Sequence, residues 1–283
     1  MRIVSYRQSG TPSYGFLVGD DGIVDRSAVP GLTAASVREL IASGSLPDTS
    51  VVEAIAPTTM LAEVELLAPV EAGKILCAGV NFPTHREETG QAPEKPKYPV
   101  IFARWMDSLV AHGDEIRRPA ETEAFDYEGE LAVVIGKRAF QVSEADALDH
   151  VFGWSVFDDG SVRDWQRHSP QWIPGKNFWH SGSFGPAIVT ADSVADIGES
   201  RLQTRVNGEV RQDALIKEMV FSVAELIAYC STFTPLEPGD VIAAGTPGGV
   251  GLFFDPPRLL SDGDVVDIEI DGVGLLSNTV RQA

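Results

Sequence analysis

Two glutamates, separated by a single glycine, stand directly before an apolar segment and constrain this chain more than any other feature. Glu128 and Glu130 precede residues 131–135, a short run of β-branched and small apolar side chains that predicts a buried strand. Because side chains alternate along a strand, both carboxylates leave the same face, with their Cα atoms about 7 Å apart. Such a pair repels unless a cation neutralises it. The pattern fits either a solvated strand end or a site for a hard divalent cation, Mg²⁺ or Mn²⁺.

An acidic composition limits the partners that the protein can bind. The 283 residues carry a formal net charge of −19 at pH 7 and are 43% hydrophobic. The hydrophobic content is sufficient for one large domain or for one and a half. The negative charge argues against nucleic acid and against an anionic membrane surface as partners. A small anionic substrate is compatible with this charge only if local cations or a metal make the electrostatic potential inside the site positive.

The chain carries no signal of export or of membrane insertion. It contains no run of about 18 apolar residues, and its first residues lack the apolar core of a signal peptide. Cys77 and Cys230 are both flanked by apolar residues, which is typical of reduced packing cysteines rather than of a disulfide or a ligand pair. We therefore expect a soluble cytoplasmic protein.

Strands dominate the predicted secondary structure. Residues 1–70 are predicted to form a small α+β domain, with strands at 3–6, 14–18, 23–24 and 63–67 and an amphipathic helix from Thr33 to Gly44. Residues 71–283 are predicted to hold strands at 74–80, 100–103, 131–135, 151–157, 187–190, 203–206, 241–244 and 265–270. Because strands and helices do not alternate regularly, we predict a mainly β, α+β architecture with a mixed sheet rather than a doubly wound fold.

Helices are also predicted within the strand-rich part. Ser222 opens a helix that continues to residue 229, and Glu225 completes a capping box with it. A second, short helix is predicted after Ser161.

A pair of aspartates supplies the third acidic point. Asp158 and Asp159 end the apolar run 151–157, and an aspartate pair at a strand end is often explained by turn chemistry alone. Their side chains are expected on opposite faces, so at most one of them joins Glu128 and Glu130. Three carboxylates and several waters make an ordinary octahedral site for Mg²⁺.

A histidine and a glutamate upstream form a candidate acid–base pair. His85 and Glu88 are three positions apart and share one face of a predicted helix, for which Thr84 and Glu87 fit a capping box. A surface ion pair is the simplest explanation. A carboxylate beside imidazole also orients the ring and raises its basicity, as a water-activating base requires. The Gly-, Pro- and Lys-containing residues 90–96 that follow predict a mobile cover over a site.

Cations and a glycine-rich loop complete the candidate site. Positive charge for an anionic substrate is available from Arg104, Arg163, Arg167 and Lys176. The loop after residues 241–244 has neither the ending of a phosphate-binding loop nor the glycine spacing of a dinucleotide site. Its glycines instead allow backbone amides and the Thr246 hydroxyl to approach a small ligand.

Together, these motifs resemble the fumarylacetoacetate hydrolase superfamily from about residue 70 to the C terminus. The segments that carry the resemblance are Asn81-Phe82 with His85 and Glu88, residues 108–110, residues 126–131, Asp159 with Arg163 and Asp164, and residues 184–186, 238–242 and 245–247. The resemblance implies a mixed β-roll catalytic domain at 71–283, behind a small N-terminal α+β domain at 1–70, and a homodimer. It also implies Mg²⁺ or Mn²⁺ as cofactor and a small anionic dicarbonyl or 2-oxo acid as substrate.

The resemblance also implies roles for particular residues. Glu128, Glu130 and Asp159 match its metal ligands, His85 and Glu88 match an acid–base dyad, Lys176 matches a substrate-facing lysine, and Thr246 matches a hydroxyl at the substrate carboxylate. Arg104 and Gly245 are further candidates for substrate binding. Asp158 stands where the family commonly has Asn, Arg104 where it more usually has Lys, and residues 179–181 replace a smaller, glycine-rich run.

We expect first a metal-dependent hydrolase that cleaves a C–C bond in an acylpyruvate- or fumarylpyruvate-type acid, with His85 activating water. An oxaloacetate-type decarboxylase or a 2-hydroxymuconate-type isomerase is open at the same site, because the same enolate serves all three reactions. Two other classes are less well supported. The intact His85–Glu88 pair speaks against a non-catalytic ligand-binding member, and a non-haem iron oxygenase would need two histidines with one carboxylate, a pairing this sequence lacks.

Overall fold

The fold is described from a computed structural model, for residues 1–92 and 94–283. The strands are β1 (Arg2–Gln8), β2 (Thr11–Val18), β3 (Gly22–Asp25), β4 (Thr59–Met60), β5 (Glu65–Leu66), β6 (Ile75–Gly79), β7 (Val100–Arg104), β8 (Leu109–Val110), β9 (Glu115–Arg118), β10 (Phe125–Asp126), β11 (Gly129–Ile135), β12 (Val151–Asp158), β13 (Ser161–Val162), β14 (Gly182–Thr190), β15 (Arg201–Val206), β16 (Glu209–Leu215), β17 (Val241–Ala243), β18 (Val265–Ile270) and β19 (Gly274–Gln282). The helices are α1 (Val37–Ser43), α2 (Thr49–Glu53), α3 (Pro83–Glu88), α4 (Glu144–Ala147), α5 (Arg163–Gln166), α6 (Ile173–Lys176) and α7 (Val223–Phe233).

A large mixed sheet runs through the centre of the molecule. Its 12 strands follow the order β4-β3-β2-β1-β14-β12-β11-β17-β6-β7, with β5 beside β1 and β8 beside β14. Most neighbours are antiparallel, whereas β17 with β6 and β14 with β8 are parallel. β11 lies between β12 and β17 and is buried along its whole length. This arrangement confirms the predicted mainly β, α+β architecture with a mixed sheet.

A second sheet covers part of the first. Its five strands follow the order β16-β15-β18-β19-β9. One apolar core joins Val133 and Val156 of the large sheet to Ile268 and Leu276 of the second sheet and to Leu226 of α7. Burying an aliphatic side chain of this size contributes about 1.5–3 kcal/mol, so this layer holds β11 and β12 firmly in place.

The long helix α7 starts where the sequence predicts. The Ser222 hydroxyl accepts a hydrogen bond from the Glu225 amide, and the Glu225 carboxylate accepts one from the Ser222 amide. The capping box is therefore confirmed, although the helix continues past the predicted end, to Phe233. A short helix, α5, also follows Ser161 as predicted.

The first helix begins later than predicted. The prediction that Thr33 opens it was wrong, because the Ser36 hydroxyl accepts the Glu39 amide at 3.2 Å and caps a helix that starts at Val37. Gly44, in the left-handed region at φ 62°, ends the helix as predicted.

The N-terminal strands are continuous with the large sheet. β1 pairs with β2 on one side and with β14 on the other, where Arg2 lies opposite Val189. The division of the chain near residue 70 stays a prediction. Within the described residues, no helix combines the length and the apolar composition needed to cross a membrane.

Helix α3 does not have the predicted capping box. Pro83 occupies its first turn, the cap residue Phe82 supplies no side-chain hydrogen bond, and Thr84 lies inside the helix. The Thr84 hydroxyl instead accepts the Gly248 amide at 2.9 Å and so ties the helix to the loop after β17. The predicted cover at residues 90–96 includes Pro93, which lies outside the described residues, and its mobility stays a prediction.

Candidate active site

Three carboxylates meet where β11 and β12 lie side by side. Glu128 directly precedes β11, Glu130 is its second residue, and Asp159 directly follows β12. Pairing of Gly129 with Asp158 and a 2.9 Å bond from the Asp159 amide to the Glu128 carbonyl fix this arrangement. All three residues are buried, and each offers one carboxylate oxygen that lies within 4.8 Å of the other two.

Asp158 points away from this cluster, as strand alternation predicts. Its Oδ1 accepts a 3.0 Å hydrogen bond from the Glu128 amide, while its Oδ2 has no partner among the described residues. Burial raises the pKa of Asp158 to about 7. Asp158 therefore supports the backbone behind the cluster, and Asp159 alone of the pair contributes its side chain to it.

Lysine and arginine side chains neutralise part of the cluster. Lys176 Nζ lies 2.7 Å from Glu128 Oε2 and 2.6 Å from Asp159 Oδ2, and Arg163 Nη1 lies 2.5 Å from Glu128 Oε1. Burial disfavours the charged ammonium, but the carboxylates of Asp159 and Glu128 outweigh it and raise the pKa of Lys176. In return, Lys176 and Arg163 hold the pKa of Glu128 well below its usual range despite its burial.

Arg104 lies behind Asp159. It is 2% exposed, and its Nη1 donates to Asp159 Oδ1 at 2.8 Å and to the Gly160 carbonyl at 2.9 Å. Its Nη2 donates to the Ser181 hydroxyl at 3.0 Å. Through these bonds the Arg104 guanidinium holds the Asp159 carboxylate in place. The geometry therefore favours a positioning role for Arg104 over the predicted contact with substrate.

Glu130 is the least compensated member of the cluster. Its Oε2 accepts the Gly245 amide at 2.9 Å, and no lysine or arginine among the described residues forms an ion pair with it. Burial and the neighbouring charges of Asp159 and Glu128 raise the pKa of Glu130 well above its usual range. Because a divalent cation relieves this kind of crowding, the three residues fit a hard metal ion.

The candidate dyad lies on α3, and His85 lines the same cavity of about 280 Å³ as Glu128 and Glu130. His85 Nδ1 is 2.6 Å from Glu88 Oε1, and Glu88 Oε2 accepts the Gly249 amide at 2.9 Å. Because Nδ1 is used by Glu88, Nε2 is the ring nitrogen that remains for chemistry in the cavity that His85 lines.

The structure separates the predicted site residues into two layers. His85, Glu128, Glu130, Lys176 and Thr246 line the cavity. Glu88, Asp159 and Gly245 lie behind that layer and bond His85, Lys176 and Glu130, and Arg104 lies one step further back, bonded to Asp159. The surface available to a substrate is therefore narrower than the sequence motifs indicate.

Gly245 and Thr246 shape the loop next to Glu130. Gly245 has φ +102°, and a Cβ atom at this position would lie 2.5 Å from Cβ of Asn81. Only glycine therefore allows the loop to pack this close to Asn81. The Thr246 hydroxyl donates to the Gly129 carbonyl at 3.0 Å and accepts from Gln212 Nε2 at 2.7 Å. Gln212 was not singled out in the sequence, because no local pattern links it to this loop.

Asp126 is a further site residue that the sequence motifs left unassigned. Its carboxylate accepts the amides of Gly251 and Leu252 at 2.8 and 3.0 Å and pairs with Arg163 Nε at 2.8 Å. It thereby fixes the loop that covers the cavity to the same arginine that holds Glu128. Strand alternation over 126, 128 and 130 is the signal that could have identified it.

Comparisons with known proteins agree on one family. Residues 74–281 match the family model described as Fumarylacetoacetate (FAA) hydrolase C-terminal. The chain is 39% identical over 289 residues to oxaloacetate tautomerase fahd2, mitochondrial, of Xenopus laevis, an alignment that covers 99% of this chain and 90% of the relative.

Solved structures extend the agreement to the whole fold. Fumarylacetoacetate hydrolase (EaFAH) from psychrophilic Exiguobacterium antarcticum has a TM-score of 0.88 at 36% identity, and the match covers 100% of both chains. Maleylpyruvate hydrolase from Sphingobium sp. SYK-6, in complex with manganese (II) ion and pyruvate, has a TM-score of 0.81 at 30% identity, again over 100% of both chains. Since the family match spans most of the sequence and the fold agrees over all of it, this chain belongs to the fumarylacetoacetate hydrolase family.

Proposed function

We propose that this protein is a divalent-metal-dependent enzyme that interconverts the keto and enol forms of a small 2-oxo dicarboxylic acid, with oxaloacetate as the first substrate to test. The observation that carries the proposal is one cavity that is lined both by Glu128 and Glu130 of the buried carboxylate cluster and by His85 of the His85–Glu88 pair. Similarity to an oxaloacetate tautomerase along nearly the whole chain supports this reaction over the hydrolysis that the sequence motifs favoured.

Glu128, Glu130 and Asp159 are the residues that would hold Mg²⁺ or Mn²⁺. Their three clustered carboxylate oxygens suit a hard cation, and Glu130, whose pKa is raised by burial and by the neighbouring carboxylates, is the one that gains most from it. A bound divalent cation supplies Lewis acidity, which polarises a keto group and acidifies the neighbouring carbon. Lys176 and Arg163 orient Glu128, and Arg104 orients Asp159, so the ligand oxygens are held before the metal arrives.

His85 is the group proposed to move the proton. Its Nε2 faces the cavity, accepts a proton from the carbon next to the keto group and returns it to the enolate oxygen, and the reverse sequence converts enol to keto. Glu88, bonded to Nδ1, fixes the ring orientation and stabilises the imidazolium that forms transiently. No water is consumed and no carbon–carbon bond breaks in this cycle.

C–C hydrolysis is the second candidate, because the Sphingobium structure of the same fold is a maleylpyruvate hydrolase. In that reaction, His85 would activate water instead of accepting a carbon-bound proton. Decarboxylation of oxaloacetate is the third.

One set of assays separates these reactions. Purified protein with Mg²⁺ or Mn²⁺ is given enol-oxaloacetate, and loss of the enol absorbance is followed beside release of pyruvate and cleavage of an acylpyruvate. We expect metal-dependent loss of the enol that is much faster than pyruvate release or cleavage and that stops in excess chelator. Acylpyruvate cleavage as the fastest reaction would replace the proposal by the hydrolase.

We also propose a homodimer. Trp105 and Trp179 are 54% and 62% exposed, and a hydrogen bond from the Trp105 amide to Asn177 brings their segments together. Exposed indoles on neighbouring segments are typical of a surface that a partner covers. Light scattering after gel filtration measures the mass, and we expect Trp179→Ser to shift it toward the monomer.

A further inference from the structure

The cations near the site are of two kinds. Arg104, Arg163 and Lys176 are buried, and each is paired with one or two of the buried carboxylates. Arg167 also lines the cavity, but its guanidinium forms no hydrogen bond or ion pair with any residue that the structure describes. Its charge is therefore the one at this cavity that the protein itself does not neutralise.

Arg167 belongs to a wall of the cavity that offers hydrogen-bond donors. Arg163 and Gln166 are the first and last residues of α5, and Arg167 is the residue that caps its C-terminal end. Their spacing of i, i+3 and i+4 puts them on one face, and all three line the cavity. Arg163 Nη2 is buried without a partner. Gln166 uses its Oε1 to accept from Arg163 Nη1 at 3.2 Å, which leaves its amide nitrogen free to donate.

We propose that Arg167 binds the distal carboxylate of the substrate and makes the enzyme selective for 2-oxo dicarboxylic acids over 2-oxo monocarboxylic acids. The inference rests on the proposed function, in which the 2-oxo carboxylate end lies at the Glu128–Glu130–Asp159 cluster. A guanidinium presents N–H groups in a fork that matches a carboxylate, and both ends of a short dicarboxylate can then be held at once.

The selectivity follows from the exposure of Arg167. Because the guanidinium is exposed to solvent, it stays hydrated when a monocarboxylate is bound, and no penalty arises. A dicarboxylate gains a charge-assisted contact that its monocarboxylate counterpart lacks. The same cation counters the field of a chain with net charge −19, which otherwise repels a dianion from the cavity mouth.

The kinetic test compares two substrates that differ only at the distal end. Oxaloacetate has a carboxylate there, and acetopyruvate has an acetyl group. We expect Arg167→Gln to raise KM for oxaloacetate roughly two- to fivefold, the range for an ion pair that stays partly exposed, and to leave KM for acetopyruvate unchanged. Arg167→Lys should recover part of the loss, and Arg138→Gln, at an exposed arginine outside the cavity, should change neither value. An equal change for both substrates, or for neither, overturns the inference.

A binding test separates this inference from the proposed reaction. Malate and lactate differ by the same distal carboxylate, and their affinities for the Mn²⁺-loaded protein are measured by calorimetry. We expect the wild type to bind malate roughly two- to fivefold more tightly than lactate and Arg167→Gln to bind the two alike. If that preference is found without tautomerase activity, the proposed reaction fails and the inference stands. If the wild type shows no preference, or Arg167→Gln keeps it, the inference fails whatever the activity.

Discussion

The two sides of the cavity are built in different ways. The carboxylate side rests on β11 and β12, which are buried in the large sheet, and its side chains are held by several buried ion pairs. The dyad side rests on α3, a helix of only six residues. A few bonds attach that helix to the loop after β17, among them those from Gly248 to Thr84 and from Gly249 to Glu88.

This difference suits the separate tasks that the proposed function gives to the two sides. A metal site needs ligand oxygens that are fixed before the ion binds, and a central sheet provides that rigidity. A proton-transfer group must cover the substrate and later release it, which suits a short element with few contacts. Asn81, which stands just before α3, connects the two sides. Its side chain bonds the backbone of Phe221 and of Ala244, and the next residue, Gly245, donates its amide to Glu130.

The largest effect is expected when one carboxylate is removed from the carboxylate side. Glu130→Gln should abolish metal binding and activity while leaving the metal-free protein at least as stable as the wild type, because an uncompensated buried carboxylate is removed. Glu128→Gln should abolish both and also destabilise the protein, because Lys176 and Arg163 lose their shared partner, although each keeps a second carboxylate, Asp159 and Asp126 respectively. Metal titration by calorimetry and thermal unfolding in chelator measure the two quantities. Full turnover of either variant in excess chelator would refute the metal-site assignment.

The next largest effect is expected when His85, the proposed proton-transfer group, is removed from the dyad side. His85→Ala should lower kcat for tautomerisation by roughly 10²–10⁴-fold, with KM and metal affinity nearly unchanged. Steady-state kinetics beside metal titration check this separation of tasks. A His85→Ala variant with wild-type kcat on every substrate would remove His85 from the mechanism, and one with weakened metal binding would show that the two sides are not independent.

A smaller effect is expected from the residue behind Asp159. Arg104→Lys keeps the charge but loses the bonds to Gly160 and Ser181 that orient the guanidinium. Metal affinity should fall about 10- to 100-fold, the usual effect of losing a residue that orients a ligand. The ratio of KM for oxaloacetate and acetopyruvate should stay constant, since Arg104 does not line the cavity. A change in that ratio with unaltered metal affinity would instead support the contact with substrate predicted from the sequence.

The last expected effect is a dependence of the metal-free protein's stability on pH. Folding raises the pKa of both Glu130 and Asp158, so the folded protein binds more protons than the unfolded chain above about pH 4. In chelator, stability should therefore fall as pH rises from about 4 toward 7, by up to about 1.4 kcal/mol per pH unit for each group. Glu128, whose pKa folding lowers, acts in the opposite direction but only below about pH 4, and burial lowers the pKa of His112 and His180, which opposes the trend only near the upper end of this range.

Variants at these positions identify the source of the pH dependence. Glu130→Gln and Asp158→Asn should each flatten the profile of thermal unfolding against pH. Metal affinity of the wild type should rise over the same pH range, because binding requires the Glu130 carboxylate to lose its proton. A stability profile that rises from pH 4 to 7 in chelator would contradict the environment described for both residues.

Local sequence patterns determined much of this protein. Strand alternation is sufficient to place Glu128 and Glu130 on one face, and helical spacing is sufficient to bring His85 to Glu88. The Ser222–Glu225 capping box was predictable in the same way. In each case the residues involved are neighbours in the chain, so backbone geometry alone fixes their relation. The resemblance to a known family added that these patterns belong to one site.

Only the tertiary structure decided which residues complete the site. Arg104 is held inward by Asp159 and Ser181, and Asp126 reaches the amides of Gly251 and Leu252. Arg167, one of several arginines in its segment, is distinguished only by the cavity that it lines and by the partners that its neighbours take. These contacts join residues that lie tens to more than a hundred positions apart. Sheet pairing and side-chain packing set such distances, and no local periodicity encodes them.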